Sequence, residues 1–196
     1  NNAIKILFDF LESHPGAGAC GGWLRNRDMT SQISFGYVPG LQEALVVLLF
    51  LNDLFPHALL PSRGIRPDES SRIPCEVQYI AGASMMIRKD VIDRLGFFDE
   101  RFTSYCEETD FCYRVVQEAG LKLYFVPGAQ IVHYGGASFS NVRRYQIQLI
   151  CSSTHKFLVK HHGQVYSFLT RLFYAVHYVI KFGVRCLYFL MASGPQ

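Results

Sequence analysis

The sequence predicts an α/β fold with a mixed sheet, followed by C-terminal helices, and three observations carry that expectation. A helix-periodic segment, "AIKILFDFLES" (3–13), is stopped by "HPGAG" and gives way to an apolar run of strand type, "AGACGGWL" (17–24). Later, "CEVQYIAGASMMIRKDVIDRLG" reads as strand, small-residue break, strand and helix, and from about Asn141 the chain reads as helix only. At 196 residues, 49% hydrophobic and 14% aromatic, the chain is long enough for a real core and too apolar for a disordered one.

The elements follow in order. Residues 41–55 form a second, very apolar helix, and the loop from Pro56 to Pro74, rich in Pro, Arg, Ser and Asp, reads as solvated or substrate-facing. A strand through "VQYI" and another through "SMMIR" flank Ala81, Gly82 and Ala83, and a short helix begins near Asp90 and closes at Gly96. From Tyr105, apolar Phe111, Val115 and Ala119 set a helix running to Gly120. "LKLYFV" and "QIVHY" read as two strands separated by "PGA", and Gly163 separates two helices in the tail.

Charge and cysteine usage narrow the classes. The net charge is +3, but residues 1–118 hold all sixteen acids with eleven bases, whereas residues 119–196 hold eight bases and no acid. Such asymmetry points the C-terminal part at something anionic, a phosphate or a membrane surface. Six cysteines without a CxxC pair argue against a zinc ribbon and suggest a reducing cytoplasm. The bases lie among apolar residues, which disfavours nucleic-acid binding.

The stretch "FTSYCEETDFCYRVVQEAG" (102–120) crowds Glu107, Glu108 and Asp110 into four positions. One acid in a helix's first turn is explained by the macrodipole and the orphan N–H groups. Three that repel one another are not. In a cleft, repulsion would raise at least one pKa and poise a base, or the acids would share a metal or a cationic substrate.

The run "AGASMMIRKDVIDRLGFFDERFTSYCEETDFCYRVVQEAGLKLYFVPGAQIVHYGGAS" resembles the second half of family 2 glycosyltransferases, notably the rhamnosyltransferase-like enzymes that build bacterial surface polysaccharides. The resemblance implies the C-terminal portion of a GT-A type fold. It implies an inverting, metal-dependent transfer of a sugar from a nucleotide-diphospho-sugar to a saccharide or lipid-linked acceptor. In the family the acid cluster reads Glu-Asp-x-Asp-Leu, its second acid being the general base. Glu108 stands there, one methylene longer, with Glu107 and Asp110 expected to place the acceptor and tune it. His133 in "IVHYGGAS" matches the family's strand-end His, which helps hold the divalent metal, Mn2+ or Mg2+. Gly135, Gly136 and Ser138 are expected near a diphosphate, and Gly82, Ala83 and Tyr105 near the sugar. Read without the family, a lone strand His is a packed or capped residue and a Gly-Gly pair is a plain turn.

No Asp-x-Asp occurs in the sequence, and Asp28 in "NRDMTS" is no substitute. The chain opens on Asn1 in mid-helix pattern and is expected to be a piece of a longer protein, its nucleotide-binding half lying before Asn1 and the piece inactive alone. The expected organisation is a partial catalytic domain over 1–140 and a basic helical tail over 141–196. On a helical projection Ser167, Arg171, Tyr174, Tyr178, Lys181 and Arg185 fall on one side and Leu169, Leu172, Val176, Ile180, Leu187 and Leu190 roughly opposite. Bases interrupt each apolar stretch before the roughly 20 residues a span needs, so the tail reads as interfacial, peripheral on the inner face of the plasma membrane, or as packed on protein. Two other classes stand beside the enzyme. One is a non-catalytic membrane-associated or partner-binding module from a truncated or degenerate gene; the other is a metal hydrolase, disfavoured because no second His accompanies the acids.

Overall fold

The computed structural model describes residues 2–55, 64–68, 70, 72–134 and 143–192. They divide into two compact units, one of residues 1–38 and 62–157, the other of residues 39–61 and 158–196.

The first unit is built around β1 (Ala17–Arg25), every residue of which is buried. It lies parallel to β6 (Lys122–Val132) and antiparallel to β5 (Met85–Ile87), and β6 pairs antiparallel with β3 (Cys75–Val77), giving the order β3-β6-β1-β5. Helix α1 (Ala3–Ser13) buries Ala3, Leu7, Phe10 and Leu11, one helical stripe, against Ala17, Cys20, Val126 and Ala129. A second cluster joins Ala19, Ile80 and Leu123 to Val91 of α4 (Lys89–Leu95) and to Phe111, Cys112 and Val115 of α5 (Glu107–Gln117). Ala19 and Cys20 serve different clusters because successive strand residues face opposite ways; Ala17 joins Cys20 because a register shift between Ala17 and Ala19 reverses the alternation.

The sheet explains where single-sequence reading placed its breaks differently. The "PGA" expected to separate two strands is instead a bulge within β6: Gly22 pairs with Val126 and Trp23 with Gln130, so residues 127–129 have no counterpart in β1. The bulged Ala129 carbonyl approaches so closely that a Cβ on Gly22 would lie 2.3 Å from it. The expected strand "VQYI" is two: β3 joins the main sheet, while β4 (Tyr79–Ile80) pairs with β2 (Phe35–Gly36). Between them the Gln78 amide oxygen accepts the Val38 N–H at 3.2 Å.

In the second unit the expected helix 41–55 is broken into α2 (Leu41–Leu48) and α3 (Leu51–Leu54) at Phe50, whose φ of 53° is left-handed. Leu41 N–H donates to the Tyr166 hydroxyl at 2.9 Å, and the Phe50 ring lies 4.5 Å from that of His177. Tyr166 and His177 belong to α6 (Arg143–Ala192), which breaks at Gly163 (φ 86°, ψ 174°). Beyond that break the helix buries Ser167, Thr170 and His177, while Phe168, Val179 and Phe182 are exposed. The sequence projection had put Ser167 on the charged side. Ser167 is instead buried with Thr170 and His177, whereas Arg171, Tyr178, Lys181 and Arg185 are exposed, as are Leu169, Leu172, Val176 and Ile180.

Gly22→Ala is expected to destabilise the protein by about 1–3 kcal/mol, because the added methyl meets a backbone carbonyl that cannot rotate aside. Denaturant unfolding measures it, and a loss near zero would mean the bulge shifts freely.

Candidate active site

A cavity of about 730 Å³ opens in the first unit, in the size range of small-molecule sites. Several chain segments converge on it: the turn leading into α5, the small-residue turn 81–83, the end of β6, the end of β1 with the loop after it, Arg66, and Gln146 of α6.

The α5 side is set by an unusual backbone. Tyr105 and Cys106 both sit at left-handed φ, 65° and 67°, in non-glycine residues. The turn is held from α6: Ser153 Oγ donates to Ser104 O at 2.9 Å, and Gln146 Nε2 donates to the Tyr105 hydroxyl at 2.8 Å. Helix α5 has no side-chain cap bond at Cys106, so Glu107 and Glu108 meet its positive end at the cavity margin. Glu107 Oε2 is buried and has no hydrogen-bond partner among the described residues.

The three sequence-predicted acids do not act as one group. Glu107 and Glu108 line the cavity; Asp110 does not. Its carboxylate is fully buried, with Oδ2 accepting Arg114 Nε at 2.9 Å, and Arg114 in turn donates to Leu95 O at 2.8 Å and Phe97 O at 2.5 Å. Asp110 is thus an internal counter-charge, four residues before its partner on the same helix, rather than a group facing the cavity.

Gly82 and Ala83 line the same cavity and Tyr105 joins them. A Cβ on Gly82 would be 3.4 Å from Glu108 Cβ, so the bare glycine keeps the approach to Glu108 open. Ser84 fixes this turn by accepting the Gly22 N–H at 2.8 Å. His133 lines the cavity too, its N–H donating to Arg25 O at 2.9 Å and its Nδ1 lying 3.0 Å from Gln32 Oε1. Gly135, Gly136 and Ser138 lie outside the described residues.

Among the described residues no three His, Cys, Asp or Glu side chains assemble a cation site. Among the described residues the cavity lining carries His133, Glu107 and Glu108 as groups of metal-ligating type. Sequence reading missed Arg66, Gln32, Asn26 and Gln146, which also line the cavity. Arg66 falls in the loop read as substrate-facing, and it is placed by its neighbour Ile65, whose O accepts Ser34 N–H at 3.0 Å and whose N–H donates to Phe35 O at 2.6 Å.

Comparison with known proteins shows the family. The family described as glycosyl transferase family group 2 matches residues 68–193, which include α5, His133 and Gly82. The chain is 26% identical over 165 residues to an N-acetylglucosaminyl-diphospho-decaprenol L-rhamnosyltransferase of Mycobacterium tuberculosis, covering 82% of the chain and 52% of that protein. It is 31% identical over 98 residues to rhamnosyltransferase WbbL of Escherichia coli, covering 48% of the chain and 35% of the relative. The chain spans about half the length of the first of these relatives, and less of the second. A mixed parallel and antiparallel sheet flanked by helices and followed by a C-terminal helix is consistent with a GT-A type domain.

Asp110→Ala should cost about 3–5 kcal/mol in denaturant unfolding, because it leaves the Arg114 guanidinium buried without its carboxylate. A cost below about 1 kcal/mol would show that the carboxylate is not needed to hold that helix.

Proposed function

We propose a function for a chain that belongs to glycosyl transferase family group 2: it is the acceptor-side part of an inverting, metal-dependent transferase that moves a sugar from a nucleotide-diphospho-sugar to a saccharide or lipid-linked acceptor in cell-surface polysaccharide synthesis. The observation that carries this reading is the cavity margin where Glu108 stands beside the open Gly82 turn and next to the unpartnered Glu107 oxygen. A lipid diphosphate acceptor is supported by the name of the mycobacterial relative.

In this reading the acceptor hydroxyl oxygen attacks the anomeric carbon on the side away from the diphosphate. The bond from that carbon to the phosphate oxygen breaks, its electron pair leaves with the nucleoside diphosphate, and the hydroxyl proton passes to the Glu108 carboxylate. Glu107 accepts a hydrogen bond from the acceptor and holds the reacting oxygen in line. Gly82 and Ala83 let the sugar approach the backbone. Arg66 supplies positive charge for the phosphates. A divalent ion would neutralise charge on the leaving group, with His133 as one ligand. The 196 residues alone are expected to transfer no sugar.

The helix beyond Gly163 supports peripheral attachment to the inner face of the plasma membrane. It exposes Phe168, Val179 and Phe182, with Arg171, Lys181 and Arg185 among them, and no helix among the described residues is long and apolar enough to cross a membrane.

Two tests follow. In the whole transferase, Glu108→Gln should lower kcat by about 100- to 10,000-fold with Mn2+ or Mg2+ present; transfer that survives it would move the base to Glu107, and no transfer by the wild type with any nucleotide-sugar would favour the binding module. The chain should cosediment with anionic vesicles at low salt and be released as ionic strength passes about 0.15 M; failure to bind acidic vesicles at low salt would remove the membrane assignment.

A further inference from the structure

We propose that Gln32 is a positioning residue for His133, the last link of a directed hydrogen-bond chain that runs from Asp28 through Thr30 and Asn26 and holds the His133 ring as its Nδ1–H tautomer.

The direction of the chain is fixed from both ends. At the outer end Asp28 Oδ1 accepts the Thr30 N–H at 3.1 Å and the Thr30 hydroxyl at 2.6 Å. These two bonds hold the Asp28 carboxyl below its ordinary range, so at neutral pH it only accepts. The single hydroxyl hydrogen of Thr30 is thereby committed. Thr30 Oγ1 can only accept from Asn26, at 2.7 Å, which turns Asn26 Nδ2 toward Thr30 and leaves Asn26 Oδ1 facing Gln32 at 2.6 Å. An oxygen there requires the Gln32 nitrogen.

The inner end gives the same orientation independently. Gln32 Nε2 also lies 2.6 Å from the backbone oxygen of His133, and a carbonyl cannot donate. The amide oxygen of Gln32 is therefore the atom 3.0 Å from His133 Nδ1, and Nδ1 must carry the hydrogen. The backbone keeps the two side chains in register, since Gln32 N–H donates to Leu24 O and His133 N–H donates to Arg25 O, each at 2.9 Å.

A neutral imidazole has one N–H, so Nε2 is left with its lone pair. Among the described residues nothing is hydrogen-bonded to it, and the ring lines the cavity. Gln32 thus presents the site with an acceptor or ligand nitrogen where the more common tautomer of histidine in water would present a donor. The inference rests on His133 belonging to the cavity. It does not require sugar transfer, so it can fail while that reading stands, and the reverse.

The test is a long-range 1H–15N correlation spectrum of the 196-residue chain carrying 15N-histidine, at about pH 8, above the ordinary imidazole range. His133 is assigned among the seven histidines by its loss in His133→Gln. The wild type should show Nδ1 in the protonated range and Nε2 in the unprotonated range. Gln32→Met, close in volume but without the acceptor, should shift His133 toward Nε2–H. Gln32→Ala gives the same reading if the Met variant does not fold. An Nε2–H ring in the wild type would overturn the proposal, as would an unchanged tautomer in a folded Met or Ala variant.

Discussion

The arrangement of the site depends on one buried ion pair. Arg114 and Asp110, 8% and 0% exposed in their side chains, face inward from α5, and two further guanidinium donors go to Leu95 O and Phe97 O at and just after the end of α4. A buried charge without its partner costs several kcal/mol, so the helix cannot rotate about its axis without losing all three bonds. That constraint fixes the azimuth of α5. It turns Phe111, Cys112 and Val115 into the core and leaves Glu107 and Glu108 at the cavity margin. Acids that look equivalent in sequence therefore divide into one that orients the helix and two that face the cavity.

The turn before α5 is the second determinant. Two successive non-glycine residues at positive φ cost on the order of 1–3 kcal/mol each, and such backbone persists only where its surroundings over-determine it. Bonds from Ser153 and Gln146 do this, so the first part of α6 belongs structurally to the site rather than to a detached tail. The cavity's other margin is rigid for a different reason. The bulge at Ala129 carries β6 past β1 and brings His133 beside the end of β1, where Arg25 O and the Gln32 amide receive it.

Much of this was legible in the sequence because it depends on local periodicity. Helix α1, strand β1 and the Gly96 end of α4 follow from apolar spacing and a glycine stop, and the acid cluster was visible as an anomaly. What was not legible depends on partners distant in the chain. Nothing near Asp110 says that its partner Arg114 will be drawn inward by the carbonyls of Leu95 and Phe97, and nothing in "PGA" distinguishes a turn from a bulge that Gly22 in β1 accommodates. Gln32 and Asn26 carried no signal as single polar residues in a loop; their meaning lies in a contact across 101 positions. The tail shows a related limit, since a helical projection sorts side chains by polarity whereas the helix beyond Gly163 buries its small and polar stripe.

The central claim is that the acceptor is bound at the start of α5 and loses its proton to Glu108. A crystal structure of the whole transferase carrying Glu108→Gln, soaked with nucleotide-sugar and acceptor, tests it most directly. The account predicts an acceptor hydroxyl about 2.6–3.2 Å from the residue 108 side chain, with the sugar against Gly82. An acceptor bound elsewhere, with its reacting hydroxyl out of reach of both Glu107 and residue 108, would contradict it.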